Sequence, residues 1–149
     1  MNASIQNRNQ SYLSIIGKLS EKRKLIFQLI RSNEPCTSVD IRNKHHIPIN
    51  EITGRVTELK FLCLIEEADI KKNQHSQHNN TAYSTVKSLS RRIDLINQKY
   101  AELRDYRDQI INDYNLGLND ATKEILNKEL KKTYYKINAL TKVLKTIEA

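Results

Sequence analysis

Tryptophan is absent from this chain of 149 residues, which holds only three glycines, two prolines, two cysteines and one methionine. Three glycines are too few for an α/β nucleotide-binding fold, whose phosphate loops place glycine at several fixed positions. Two cysteines, Cys36 and Cys63, cannot make a disulfide framework and fit a reducing compartment, so the expected location is cytoplasmic. The longest apolar run, Leu25 to Ile30, is broken by Gln28. A membrane span needs about 20 apolar residues, so no membrane partner is expected. Met1 to Gln10 has neither an apolar core nor a small-residue cleavage site, and no secretory signal is read there.

What the chain does have is positive charge. Lys and Arg total 25 against 17 Asp and Glu, a net charge of +8. A surplus of this size suits a polyanionic partner such as nucleic acid and says nothing about fold. Residues 1–88 hold 13 basic and 8 acidic residues and the remainder hold 12 and 9, so charge alone does not locate a binding face. Both prolines precede residue 88 and a single glycine follows it, leaving the second half nearly free of breakers. The one low-complexity stretch, Lys71 to Asn80 (KKNQHSQHNN), reads as a solvated loop.

In the first half Ser20 is placed to cap a helix through Leu25, Ile26, Leu29 and Ile30, ending near Asn33 before Pro35. Thr37 to Asp40 is a capping box opening a short second helix through Val39 and Ile41. His46-Ile-Pro48 forces a turn, because a residue before proline avoids the helical region. Asn50 is the expected cap of a third helix burying Ile52, Val56, Leu59 and Cys63. Leu64 to Ile70 and Thr81 to Val86 read as strands joined by the polar loop.

That order predicts a mainly α chain containing a winged helix-turn-helix, three helices plus a β-hairpin wing. The third helix would be offered to a DNA major groove about 12 Å wide. Asn50, Thr53, Thr57 and Lys60 are the expected groove contacts, with Gly54 allowing close approach. Thr37, Ser38, Arg42, Lys44, Arg55, Lys71 and Lys72 are the expected phosphate contacts. Lys71, Lys72, His75 and His78 are expected at the hairpin tip. A plainer reading stands beside this one: Arg55 with Glu58 is also the spacing of an intrahelical ion pair, and winged helices serve as protein-interaction modules too.

The segments Ser11 to Ser20 (SYLSIIGKLS), Ile49 to Lys60 (INEITGRVTELK) and Leu64 to Glu67 resemble the small winged-helix proteins encoded by many bacteriophages and prophages. The likeness runs over residues 11 to 86, and its Thr-x-Arg-Val-x-Glu-Leu core falls on Thr53, Arg55, Val56, Glu58 and Leu59. It implies a DNA-binding role in a bacterial or phage-infected host cell. The family tends to have glycine where this chain has Cys63, so Cys63 must either take a left-handed conformation or end the helix differently. The family's Gly-Arg before the last wing strand is here Asn79-Asn80-Thr81.

The second half carries two heptad seams. Leu89, Ile93, Ile96, Tyr100, Leu103, Arg107, Ile110 and Tyr114 form one; Leu126, Leu130, Thr133, Ile137, Leu140, Leu144 and Ile147 form the other. Gly117 stops the first helix, and Asn119 or Asp120 caps the next. Folding the chain there pairs the seams layer for layer about position 118, predicting a C-terminal antiparallel helical hairpin or coiled coil. Ile125, Tyr134, Tyr135 and Val143 lie off the seam and are expected to meet a second copy, building a four-helix dimer. The other arrangement is docking on the chain's own first half. The layout is similar to that of PadR-like regulators.

The expected division is therefore residues 11–88, a DNA-binding domain, and 89–149, a dimerisation region. His75 and His78 lie in a polar loop and the cysteines are not closely spaced, so no metal site is read. No G-x-x-x-x-G-K-[ST], H-E-x-x-H or G-x-S-x-G motif occurs. No enzyme and no cofactor are expected. The function expected is transcription regulation by a homodimer on double-stranded DNA. The alternative is a phage replication or packaging accessory, or adaptor, using the same parts on a protein partner.

Overall fold

The computed structural model describes Gly17 and residues 19–148. The reading of Met1 to Gln10, and most of the segment 11–20, lie outside the described residues. Among the described residues the chain is mainly helical, with five helices and a small three-stranded antiparallel sheet. Two units divide it, Met1–Arg92 and Ile93–Ala149. The division falls inside a helix, four residues beyond the composition change at 88.

In the first unit, helix α1 (Glu21–Asn33) follows Ser20, whose hydroxyl makes no capping bond; the Ser20 carbonyl instead accepts the Lys24 N–H at 2.9 Å. Ile26, Phe27 and Ile30 are buried, while Leu25 faces out. Asn33 closes the helix by donating to the Leu29 carbonyl, and a cis Glu34–Pro35 peptide follows. Strand β1 (Cys36–Thr37) comes next, a pairing too short for any alternation to announce.

Helix α2 (Ser38–His45) opens on the predicted capping box. The Asp40 N–H donates to Thr37 Oγ1 at 3.1 Å, and the Thr37 N–H donates to Asp40 Oδ2 at 2.9 Å. His46, at φ 56°, ends it in the left-handed region. Helix α3 (Ile49–Phe61) starts two residues earlier than the sequence reading: Pro48 is its N-cap, and Asn50 lies inside the first turn. Proline's fixed φ and missing N–H suit that end of a helix. The buried stripe of α3 is Ile52, Val56 and Leu59, as predicted. These side chains join Ile26, Phe27, Ile30, Cys36, Ile41, Leu64 and Ile65 in one core.

Cys63 adopts the left-handed conformation, φ 54°, just past α3. The Cys63 N–H reaches the Lys60 carbonyl at 3.0 Å and the Leu64 N–H reaches that of Leu59 at 3.1 Å. That pair of bonds is the Schellman ending, built here on cysteine where glycine is usual.

Strands β2 (Ile65–Lys72) and β3 (Asn79–Thr85) form a hairpin, and β1 adds to the free side of β3, giving the order β1-β3-β2. Glu67 pairs with Tyr83 and Asp69 with Ala82, so Ala68 is an extra residue, a β-bulge. The strands run two residues further than predicted at the loop end, to Lys72 opposite Asn79. Backbone ladder bonds do not require apolar side chains, so a polar run can continue a strand that polarity alone marks as loop. The loop itself is residues 73–78, closed by the Asn73 N–H on the His78 carbonyl at 2.8 Å.

The second unit is built from α4 (Leu89–Tyr114), whose first turn belongs to the first unit, and α5 (Asp120–Glu148). Gly117 takes φ 73° in the link. Asn119 is the cap of α5, its Oδ1 accepting the Thr122 N–H at 2.9 Å. Lys123 Nζ lies 5.7 Å from the Tyr114 ring centre near the turn, and farther along Lys132 neighbours Tyr106. Ile96, Ile110, Thr133, Ile137 and Leu140 are buried, and all five are seam positions. None of the described helices is long and apolar enough to cross a membrane.

Candidate functional site

Helix α3 presents its expected outer face. With Ile52, Val56 and Leu59 turned inward, Asn50, Thr53, Gly54 and Thr57 are exposed at i, i+3, i+4 and i+7, one side of a helix. The Thr53 hydroxyl donates to the Asn50 carbonyl at 3.3 Å and that of Thr57 donates to the Thr53 carbonyl at 3.0 Å. With those protons engaged, both threonines turn acceptor lone pairs and methyl groups outward, while Asn50 keeps an amide that both donates and accepts. A Cβ at Gly54 would meet nothing within 4 Å, so this side of the helix is open. The face is polar and uncharged. Glu51 lies beside it and pairs with Lys22 at 3.5 Å.

The cations around the face divide into engaged and available ones. Arg55 Nη1 sits 2.8 Å from both Glu58 oxygens, and Arg23 Nε reaches the same carboxylate at 2.5 Å. Arg55 thus makes the intrahelical pair that its spacing allows, and Glu58 carries two guanidinium partners. Lys60 Nζ is 2.5 Å from Glu67 and 5.8 Å from the Tyr83 ring centre. Thr37 is buried and its hydroxyl is the cap of α2, so it does not face outward; Ser38 beside it is half-buried.

Lys71 and Lys72 are not at the hairpin tip. Both belong to β2: Lys71 turns back to donate to the Pro35 carbonyl at 2.5 Å and lies 3.9 Å from Asp40. Lys72 is exposed and makes no ion pair among the described residues. Arg42 and Lys44 are exposed and, among the described residues, bond only neutral amides, those of Asn43 and Asn33. His75 and His78 do lie in the 73–78 loop. Asn73 shapes that loop, its Oδ1 accepting the His75 N–H at 2.9 Å.

Two polar clefts flank α2. One is lined by Arg42, Asn43, His46, Ile47, Pro48 and His75. The other shares Asn43 and His75 and extends past Lys72, Asn73 and Asn80 to Thr37 and Asp40. Nothing in the sequence marks Asn43 as a site residue, and His46 reads there as part of a turn. Twenty-nine positions separate His46 from His75, and no local pattern announces that a hairpin loop returns to the end of a helix. Cys36, buried behind α2, is not a reactive thiol. Burial, reinforced by Asp40 and opposed by Lys71, pushes its pKa up to about 11. Among the described residues no three His, Cys, Asp or Glu side chains gather as metal ligands would.

On α5, Ile125, Tyr134, Tyr135 and Val143 do not share one face. At about 100° per residue, Ile125 and Val143 lie on one flank of the seam, Tyr134 on the other, and Tyr135 on the back. Tyr135 is accordingly the most exposed of them at 78%. Tyr106 of α4, which neighbours Lys132, lies on the Ile125 flank. Arg107 occupies its seam position bonded to Asp108, which raises its pKa, with Tyr134 and Tyr100 near it.

A scan against protein-family models and a search of curated proteins both find no match for this chain.

Proposed function

We propose that the first unit is a winged helix-turn-helix that binds double-stranded DNA, in a transcriptional regulator of the phage or mobile-element type acting as a homodimer. The observation that carries this reading is the outer face of α3: uncharged, hydrogen-bonding and open at Gly54, on a helix whose opposite side is wholly buried. Asn and Thr side chains on such a face match base edges, and the helix diameter matches a major groove. The order of α1, α2, α3 and the β2–β3 hairpin, with β1 completing the sheet, supports the fold reading. Arg42, Lys44 and Lys72 are the cations left for phosphate.

The test is selection of bound duplexes from a random pool, followed by affinities of variants for the selected site and for an unrelated duplex. Asn50→Ala and Thr53→Ala are expected to weaken the selected site about 10- to 100-fold while leaving the unrelated duplex unchanged. Equal losses on both duplexes would remove α3 as the reading helix. A selected site beside the protein's own promoter favours regulation; one at an origin or packaging site favours an accessory role.

A second reading has one observation in its favour. Arg55, Lys60 and Lys71 are engaged with acceptors of their own chain, and a neutral α3 face also suits a protein surface. The protein would then be an adaptor. Failure of the selection to enrich any duplex turns the conclusion that way. Self-association rests on the flank of the helical hairpin that carries Tyr106, Ile125 and Val143, with a second copy as the occupant.

A further inference from the structure

The geometry points to a phosphate-binding groove between the end of α2 and the 73–78 loop, with Arg42, His46 and His75 as its donors. This inference rests on the duplex-binding reading and adds to it a named site and a dependence on protons. The groove is shallow and open, and its lining comes from distant parts of the chain: Arg42, Asn43, His46, Ile47 and Pro48 on one side, His75 on the other.

Its donors are available. Arg42 directs Nε and Nη2 to the neutral Asn43 Oδ1, which leaves its charge uncompensated. The His46 backbone N–H is taken by the Arg42 carbonyl and that of His75 by Asn73 Oδ1, while neither imidazole bonds any described residue. The charged groups facing the groove from the neighbouring elements are few. Asp40 of α2 lines the adjoining cleft and not the groove; it accepts the Thr37 N–H and lies 3.9 Å from Lys71. Lys71 and Lys72 of β2 are the others. Among the described residues lining the two clefts, cations outnumber the single carboxylate, and that carboxylate is occupied. The lining suits an anion with several acceptor oxygens, which a backbone phosphodiester is.

Two imidazoles give this site a property that a lysine-lined site lacks. Histidine ordinarily changes charge between about pH 5 and pH 8. A protonated ring attracts a phosphate more strongly than a neutral one, so affinity is expected to strengthen as pH falls through that range. Each protonated ring that neutralises a phosphate adds about 0.9 to the salt slope.

The experiment measures affinity for a duplex of about 30 base pairs at about pH 8 and about pH 6, with salt near 0.15 M. It uses the full chain, the double variant His46→Asn with His75→Asn, and His78→Asn as control. Asparagine tolerates the left-handed conformation of His46, and thermal melts confirm that the variants fold. The native chain should tighten about 10-fold on acidification, with His78→Asn behaving alike. The double variant should bind no more tightly than the native chain at the higher pH and lose the tightening on acidification. A pH-independent native affinity, or a double variant that keeps the response, overturns the groove while leaving duplex binding intact. Absence of duplex binding at either pH defeats the proposed function instead. The groove is then decided by titrating inorganic phosphate and following the imidazole proton resonances: shifts at His46 and His75 sustain an anion site, and their absence ends it.

Discussion

Glu58 decides how much of the charge on α3 reaches solvent. Its carboxylate binds Arg55 and Arg23 together, so Glu58→Gln releases two guanidiniums at once. Affinity for any duplex should rise about 3- to 10-fold at low salt, with a salt slope steeper by one to two contacts. Stability should fall by less than about 1 kcal/mol, because these groups are a third exposed and solvent screens them. Anisotropy titrations over a range of salt check the first, thermal melts the second. Cys36 makes the opposite case of a residue held out of chemistry. Its thiol should resist alkylation in the folded chain at about pH 8 and react once unfolded. The raised pKa favours the neutral thiol in the fold. Its stabilising effect is therefore full below the ordinary value of 9.0 and disappears as pH rises toward about 11. Melts of the native chain and Cys36→Ala across that window should converge. At this scale the sequence was half legible. The Arg55–Glu58 spacing is local and readable, but Arg23 approaches Glu58 from 35 residues away, and no local rule reports that.

Elements are most legible in the sequence where periodicity or capping chemistry is strong. The apolar stripe of α3, the capping box of α2 and the glycine turn at 117 all follow from spacing and side-chain type. Ends were read worse. Pro48 replaced Asn50 as the cap of α3, β1 is too short to show, and the hairpin ladder ran on through lysines and asparagines. Cys63 is the most informative of these ends, because the chain keeps a Schellman turn without its usual glycine. Left-handed backbone costs a side-chain-bearing residue about 1–2 kcal/mol, while the buried thiol returns part of that. Cys63→Gly should therefore change stability by less than about 1 kcal/mol, and the β-branched Cys63→Val should cost about 2 kcal/mol or more. Denaturant unfolding of the two variants separates them. A larger loss for glycine would mean that the thiol's packing matters more than the turn.

For the whole molecule, the seam positions of both long helices were legible because every fourth and third residue repeats the same choice. The outer faces were not, because four apolar residues were grouped by type without regard to their angle around α5. Light scattering at micromolar concentration should report twice the 17.4 kDa chain mass. Ile125→Lys should return the protein to monomer, and Tyr135→Lys on the far side should leave the dimer intact. Equal effects of both substitutions, or a native monomer, would end the self-association reading.

The extra residue at Ala68 reaches beyond its own strand. Side chains of a strand alternate between faces, so one inserted position exchanges the two faces for every residue after it. With the insertion in place, Lys71 is drawn down onto Pro35 and Asp40 while Lys72 is left in solvent. A hairpin of even count would trade these two lysines. A single unit of chain length, carrying no charge, thus works as a parity bit that selects which ammonium the protein shows to the outside.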